Sequence, residues 1–144
     1  MLFSEARGRP VIDLATAEAV GTISTCTLAG SPARITGLRL KAKGRARPEV
    51  DWDRIHAFGS DAVTVDAGDR IRDERDIEPS DPAHSRHDPL DKPVLAETGA
   101  GGGTLMDIDF DEATGEVRHL ITTDGRITGD HLLEVGSYAT IVTD

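Results

Sequence analysis

A chain of 144 residues is long enough for one medium domain or two very small ones, and its net charge of −10 repels phosphate backbones, so nucleic acid is excluded as a default partner. Only Trp52, Tyr138, Phe3, Phe58 and Phe110 are aromatic, so any interior is built mainly from Val, Ile, Leu, Ala and Thr. The single cysteine, Cys26, excludes an internal disulfide, and no apolar run makes a signal peptide or approaches the roughly 20 residues of a membrane span, so the expectation is a cytoplasmic protein without membrane contact.

In chain order, GTISTCTL at 21–28 alternates with period two, the pattern of a strand with one buried face, and sets Ser24, Cys26 and Leu28 inward. AGSP at 29–32 is a turn. In ITGLRLKAKGRAR, Leu38 and Leu40 face one side, and Arg39, Lys41, Lys43, Arg45 and Arg47 form a basic stripe on the other. DWDRIHAFG at 51–59 predicts one helical turn that includes His56, with Asp51 as cap, ahead of a closing strand whose Val63 and Val65 point inward. Residues 67–90 mix both charge signs with three prolines and cannot bury much apolar area; they read as a linker, with a short helix at 69–77. GTLMDIDF at 103–110 then sets Met106, Ile108 and Phe110 on one face and Asp107 and Asp109 on the other. DEATG at 111–115 and TDGR at 123–126 are turns, and GDHLLEVG at 129–136 predicts a second helical turn capped by Asp130. Leu120 and either Thr140 or Ile141 complete the inward set.

The chain repeats itself. RPV at 9–11 answers KPV at 92–94, GTISTCTL answers GTLMDIDF, and ARITGLRL at 33–40 answers EVRHLITT from 116 onward with a shift of one residue. FGSDAVTV from 58 answers VGSYATIV from 135, and the second copy has the shorter middle loop. This tandem order of P-V, G-T-[IL], an alternating strand, a turn, and a closing [FV]-G-S-x-A-x-x-V resembles two PRC-barrel domains, a small β-barrel also found in the photosynthetic reaction centre H subunit and in a ribosome maturation factor. The resemblance implies an all-β protein of two barrels with short helical turns. The first repeat would span 1–68, the charged linker 69–90 and the second repeat 91–144. It carries over no catalytic motif.

Other chemistry in the sequence has a plainer account. Asp107, Asp109 and Asp111 have the spacing of a calcium loop, but Glu112 stands where its glycine belongs and Arg118 where its bidentate glutamate belongs, so a hairpin explains them. GAGGG at 99–103 runs into a strand instead of a helix, which leaves no phosphate cradle. His84 and His87, near Asp81, Asp88 and Asp91, lie in the linker with no element to orient them, so no metal is assigned. The basic stripe is a solvated face or a contact for an acidic partner, including the chain's own second half: residues 1–66 carry nine Lys/Arg against eight Asp/Glu, and 67–144 carry seven against eighteen. His56, His119, Tyr138 and Cys26 form no nucleophile–base set, so catalytic residues stay unassigned and no cofactor is expected.

The inward residues are of modest volume, so the barrels are either narrow and filled or leave an apolar cavity inside or between them. The cavity reading expects a bulky apolar, polyketide-like ligand held by Trp52, Phe58, Met106, Ile108, Phe110, Leu120, Tyr138, Leu38 and Cys26. Confinement alone accelerates cyclisation, with effective molarities on the order of 10⁵ M, and similar stand-alone barrels serve as cofactor-free cyclases; this analogy gives the enzymatic form of the reading. The alternative is a non-catalytic adaptor for protein assembly. The barrels would pair either within one chain or across a homodimer.

Overall fold

The computed structural model describes residues 1–44, 48–66, 72–73 and 88–143. A single helical turn, α1 (Phe3–Ala6), precedes the first sheet: β1 (Pro10–Asp13), β2 (Glu18–Ala29), β3 (Arg34–Lys41), β4 (Pro48–Asp51), β5 (Ile55–Phe58), β6 (Val63–Val65) and β7 (Arg72–Asp73). The second sheet holds β8 (Pro93–Ala96), β9 (Gly101–Phe110), β10 (Val117–Thr122), β11 (Gly125–Thr128), β12 (Leu132–Val135) and β13 (Thr140–Val142). The protein is all-β in two units.

The units share one topology. The first sheet is ordered β5-β6-β1-β2-β3-β4, extended by the two-residue β7, and the second, read from its β12 edge, is β12-β13-β8-β9-β10-β11. In each, the last strand returns to lie parallel beside the first, Val11 opposite Val63 and Val94 opposite Thr140. A 3₁₀ turn links the two edge strands of each unit, Trp52–Arg54 between β4 and β5 and Gly129–His131 between β11 and β12. The sheet thus curls back on itself and its remaining gap is bridged by a covalent connection.

Both long strands carry a bulge at the same place. Ile23 pairs with Leu40 and Thr25 with Arg39, while Leu105 pairs with Thr122 and Asp107 with Ile121, which leaves Ser24 and Met106 as the extra residues. A bulge reverses the side-chain parity beyond it. Leu105, and not Met106, therefore joins Ile108 and Phe110 in the core, and Met106 is 51 % exposed. Likewise Ile23 takes the inward place expected for Ser24, while Cys26, Leu28, Leu38 and Leu40 are buried.

Other local expectations also shift. His56 lies on β5 and not in the helical turn. Asp51 precedes its 3₁₀ turn without a side-chain cap bond, and the second turn is preceded by Thr128, with Asp130 inside it. Turns of three residues leave few N–H groups in need of a cap. Thr140 is the buried member of its pair with Ile141. The helix considered at 69–77 lies largely outside the described residues, but its Arg72 and Asp73 are extended and pair with Glu49 and Pro48. The end of the expected linker is packed: Thr25 donates to Asp88 at 2.7 Å, and Leu90 is buried. Arg45, Arg47, Asp81, His84 and His87 lie outside the described residues.

The two units share one continuous cluster of buried apolar residues. They meet at an antiparallel bridge between Arg34 and Glu116, where the Ile35 N–H donates to the Gly115 carbonyl at 2.8 Å and the Val117 N–H to the Ala33 carbonyl at 3.0 Å. Arg34 follows Leu28, and Glu116 follows Phe110, by the same six residues. Equivalent positions pairing with each other is the mark of an approximate two-fold relation, as in an isologous dimer interface.

Candidate functional site

That two-fold arrangement lays the β2–β3 turn of the first unit on the second, and the β9–β10 turn of the second unit on the first. The two contacts differ because the residues at the 3₁₀ turns differ. On one side Gly30 lies so close that a Cβ would stand 2.6 Å from the Leu132 carbonyl oxygen. On the other, Trp52 opens the first unit's turn and is accommodated by Gly115, whose Cβ would stand 2.8 Å from the indole. The first place in the 3₁₀ turn is thus a tryptophan in the first unit and Gly129 in the second.

Around Trp52 the aromatic residues gather. Phe58 stacks on it at 5.9 Å between ring centroids, Phe110 meets it edge-on at 6.2 Å, Phe58 and Phe110 are 5.5 Å apart, and Phe3 lies 6.4 Å from Phe110. Four of the five aromatic residues of the chain thus stand at the junction of the units, where edge-to-face and stacked pairs each add about 0.5–1.5 kcal/mol beyond the area they bury.

Two open grooves flank Trp52, and both draw walls from the two units. One, of about 270 Å³, runs between Arg34, Ile35, Asp51 and Asp53 of the first unit and Thr114 of the second. The other, of about 370 Å³, lies between Ile55, His56 and Phe58 and the turn residues Glu112 and Ala113. Both are lined by a mixture of apolar and polar side chains. At the lip of the second groove, the exposed His56 ring pairs through Nδ1 with an Asp66 carboxylate oxygen at 3.0 Å.

Of the residues expected to line a cavity, Trp52 and Phe58 line the grooves, while Phe110 packs against both from the core, fully buried, and lines neither. Cys26, Leu38, Ile108 and Leu120 are fully buried in the core, and burial, reinforced by Asp88, pushes the Cys26 thiol well above its ordinary range. A neutral, enclosed thiol is no nucleophile. Met106 and Tyr138, the latter 72 % exposed, line neither groove. Sequence reading missed Phe3, Ile55 and the 112–114 turn, because nothing local announces that a turn of one copy will lie on the other.

The aspartates of the 107–111 run are engaged in structural bonds. Asp107 accepts from the Ser4 hydroxyl at 2.5 Å and the Ser4 N–H at 3.0 Å. Partial burial works against the charge on Asp109, but His119 at 3.3 Å and the Met1 ammonium at 3.4 Å outweigh it and hold the carboxyl below its ordinary value. Asp111 accepts from the Ala113 N–H at 2.8 Å and from Arg118 at 3.0 Å; the turn N–H is the main reason that its carboxyl also sits low.

The strand order defines a small β-barrel-type protein of two units with like topology. Residues 81–143 match the family model of the PRC-barrel domain. The described part of that match is the second unit; the first unit, which shares its strand order, lies outside it. No curated protein matches the chain. Among the described residues, no helix is long and apolar enough to cross a membrane.

Proposed function

We propose that the first unit is a second PRC-barrel-like copy and that the protein binds a bulky apolar, polyketide-like molecule in the grooves beside Trp52. The observation that carries this reading is the half-buried stack of Trp52 and Phe58, backed by the buried Phe110, at a seam where two grooves meet the indole. Chain architecture alone does not require the scarce aromatic side chains to gather beside open space, whereas an apolar ligand gains from each one it covers. Cofactor-free cyclisation extends the same reading: a flexible substrate folded against the Trp52 wall would react through orientation, with His56 at the lip to move a proton.

Trp52 is the only tryptophan, so its fluorescence reports on this site alone. Titration with a lipophilic dye or an aromatic polyketide should change its emission saturably, and Phe58→Ala should weaken binding roughly tenfold or more, the cost of losing about half or more of a buried phenyl contact. A change linear in ligand, or one affinity for both proteins, removes the reading. The adaptor alternative has its own support in Tyr138, an aromatic side chain exposed at the β12–β13 turn beside the edge strand β12. Sedimentation of the wild type and Tyr138→Ser over a range of concentrations tests self-association there.

A further inference from the structure

A third groove, of about 570 Å³, shares no residue with the two beside Trp52. It opens where the start of β2 meets the end of β3, between Ala19, Val20, Thr22, Lys41, Ala42 and Lys43. At this place the two units differ in the length of the connection between strands. In the second unit, β10 and β11 are joined by only Thr123 and Asp124, and these fill the corresponding space: a Cβ on Gly103 would stand 2.6 Å from the Thr123 hydroxyl and 3.0 Å from the Asp124 carboxyl carbon. The first unit joins β3 to β4 through the longer segment 42–47.

We propose that this groove binds an amphipathic anion, a carboxylate or phosphate head on an aliphatic chain. The apolar surface is aliphatic, made by Ala19, Val20 and Ala42, in contrast to the aromatic wall beside Trp52. The charges are Lys41 and Lys43, both exposed, and among the described residues neither ammonium has an ion-pair partner. Arg39, two residues earlier on the same stripe, is tied to Glu49 at 3.5 Å. A lysine stem lies along apolar surface while its ammonium reaches outward, which matches a ligand with an aliphatic body and one anionic end. A polyanion would meet the repulsion of the whole molecule, but a single head group meets only the local positive field. The volume suits a ligand of small-molecule size, within the range of about 300–1,000 Å³.

The test is an amide NMR titration with octanoate, octanol and acetate. Octanoate should shift the Ala19–Thr22 and Lys41–Lys43 signals saturably, with octanol and acetate each weaker by roughly tenfold, because each lacks one half of the recognition. The K41Q/K43Q double variant replaces exposed side chains only and should keep its melting temperature while octanoate affinity falls roughly tenfold, the combined effect of two partly exposed ion pairs. Flotation with phosphatidylglycerol vesicles, and not with phosphatidylcholine vesicles, would assign the head group to a membrane lipid; octanoate binding without flotation would assign it to a free acyl anion. Both outcomes support the site. No saturable octanoate shift, octanol binding as tightly as octanoate, or unchanged affinity in the folded double variant overturns it.

Discussion

Gly115 and Gly129 permit two close approaches, the first between the units and the second inside the second unit. Gly115 has φ +80°, and a Cβ there would stand 2.8 Å from the Trp52 indole; Gly129 has no unusual φ, but a Cβ would stand 1.9 Å from the Val117 carbonyl oxygen. Backbone cannot swing aside as a side-chain end can, so Gly129→Ala should cost at least the upper part of the ~1–3 kcal/mol range for overpacking. Gly115→Ala combines left-handed strain of roughly 1–2 kcal/mol with displacement of the indole. Urea denaturation should rank Gly129→Ala as the more damaging, and only Gly115→Ala should shift Trp52 emission in the folded protein. Equal damage with unchanged emission would contradict this packing.

At the same scale, Asp109 makes a pH prediction. Its folded-state carboxyl lies below the ordinary value, so the unfolded chain binds more protons than the native one between the two pKa values. Its stabilising contribution is therefore complete above the ordinary aspartate pKa of about 3.9 and lost as pH falls through the lowered folded value. Asp109→Asn should lose stability at neutral pH yet show a shallower decline below pH about 4 than the wild type. Parallel acid limbs would remove the role assigned to His119 and the amino terminus.

Among the elements, β9 best separates what a sequence can tell from what it cannot. The alternation of Asp107, Ile108, Asp109 and Phe110 is legible because period two is enforced by the pleat. The place of Met106 is not, since a bulge inserts one residue without a residue type that demands it, and every side chain before it changes face. The information lies in the comparison of the units: Leu105 corresponds to Ile23 and Met106 to Ser24, and only the first of these two positions is apolar in both units. Turns were legible from their Gly, Pro, Asp and Asn-like chemistry, as at Asp111–Gly115 and Thr123–Asp124. The site was legible only in part. Trp52 and Phe58 stood out as rare aromatics, whereas Arg34 and Glu112–Thr114 reach the grooves through contact between units, which leaves no periodic trace in the chain. The bulge also ranks two adjacent substitutions. Met106→Thr should change stability by no more than about 0.5 kcal/mol, as exposed positions do, while Leu105→Ala should cost about 2–5 kcal/mol. Reversed costs in thermal or urea denaturation would restore the unbulged register.

For the whole molecule, two units of like topology are not two independent ones. Two sheets of equal order could fold as separate beads, but their buried apolar residues form one cluster, Phe110 of the second unit packs on Trp52 and Phe58 of the first, and the main chains pair at Arg34 and Glu116. Each unit is small enough that a separate core would be marginal. The shared core therefore makes unfolding of one unit expose the seam of the other, and the two should lose structure in a single transition. Trp52 fluorescence reports the first unit, and the amide signals of β9 and β10 report the second; their urea curves should superimpose. Phe110→Ala, a change in the second unit, should destabilise by about 3–5 kcal/mol and move both curves by the same amount. Curves that separate in the wild type, or a Phe110→Ala protein in which Trp52 keeps its original midpoint, would make the seam a contact between autonomous units and leave the grooves beside Trp52 without a rigid wall.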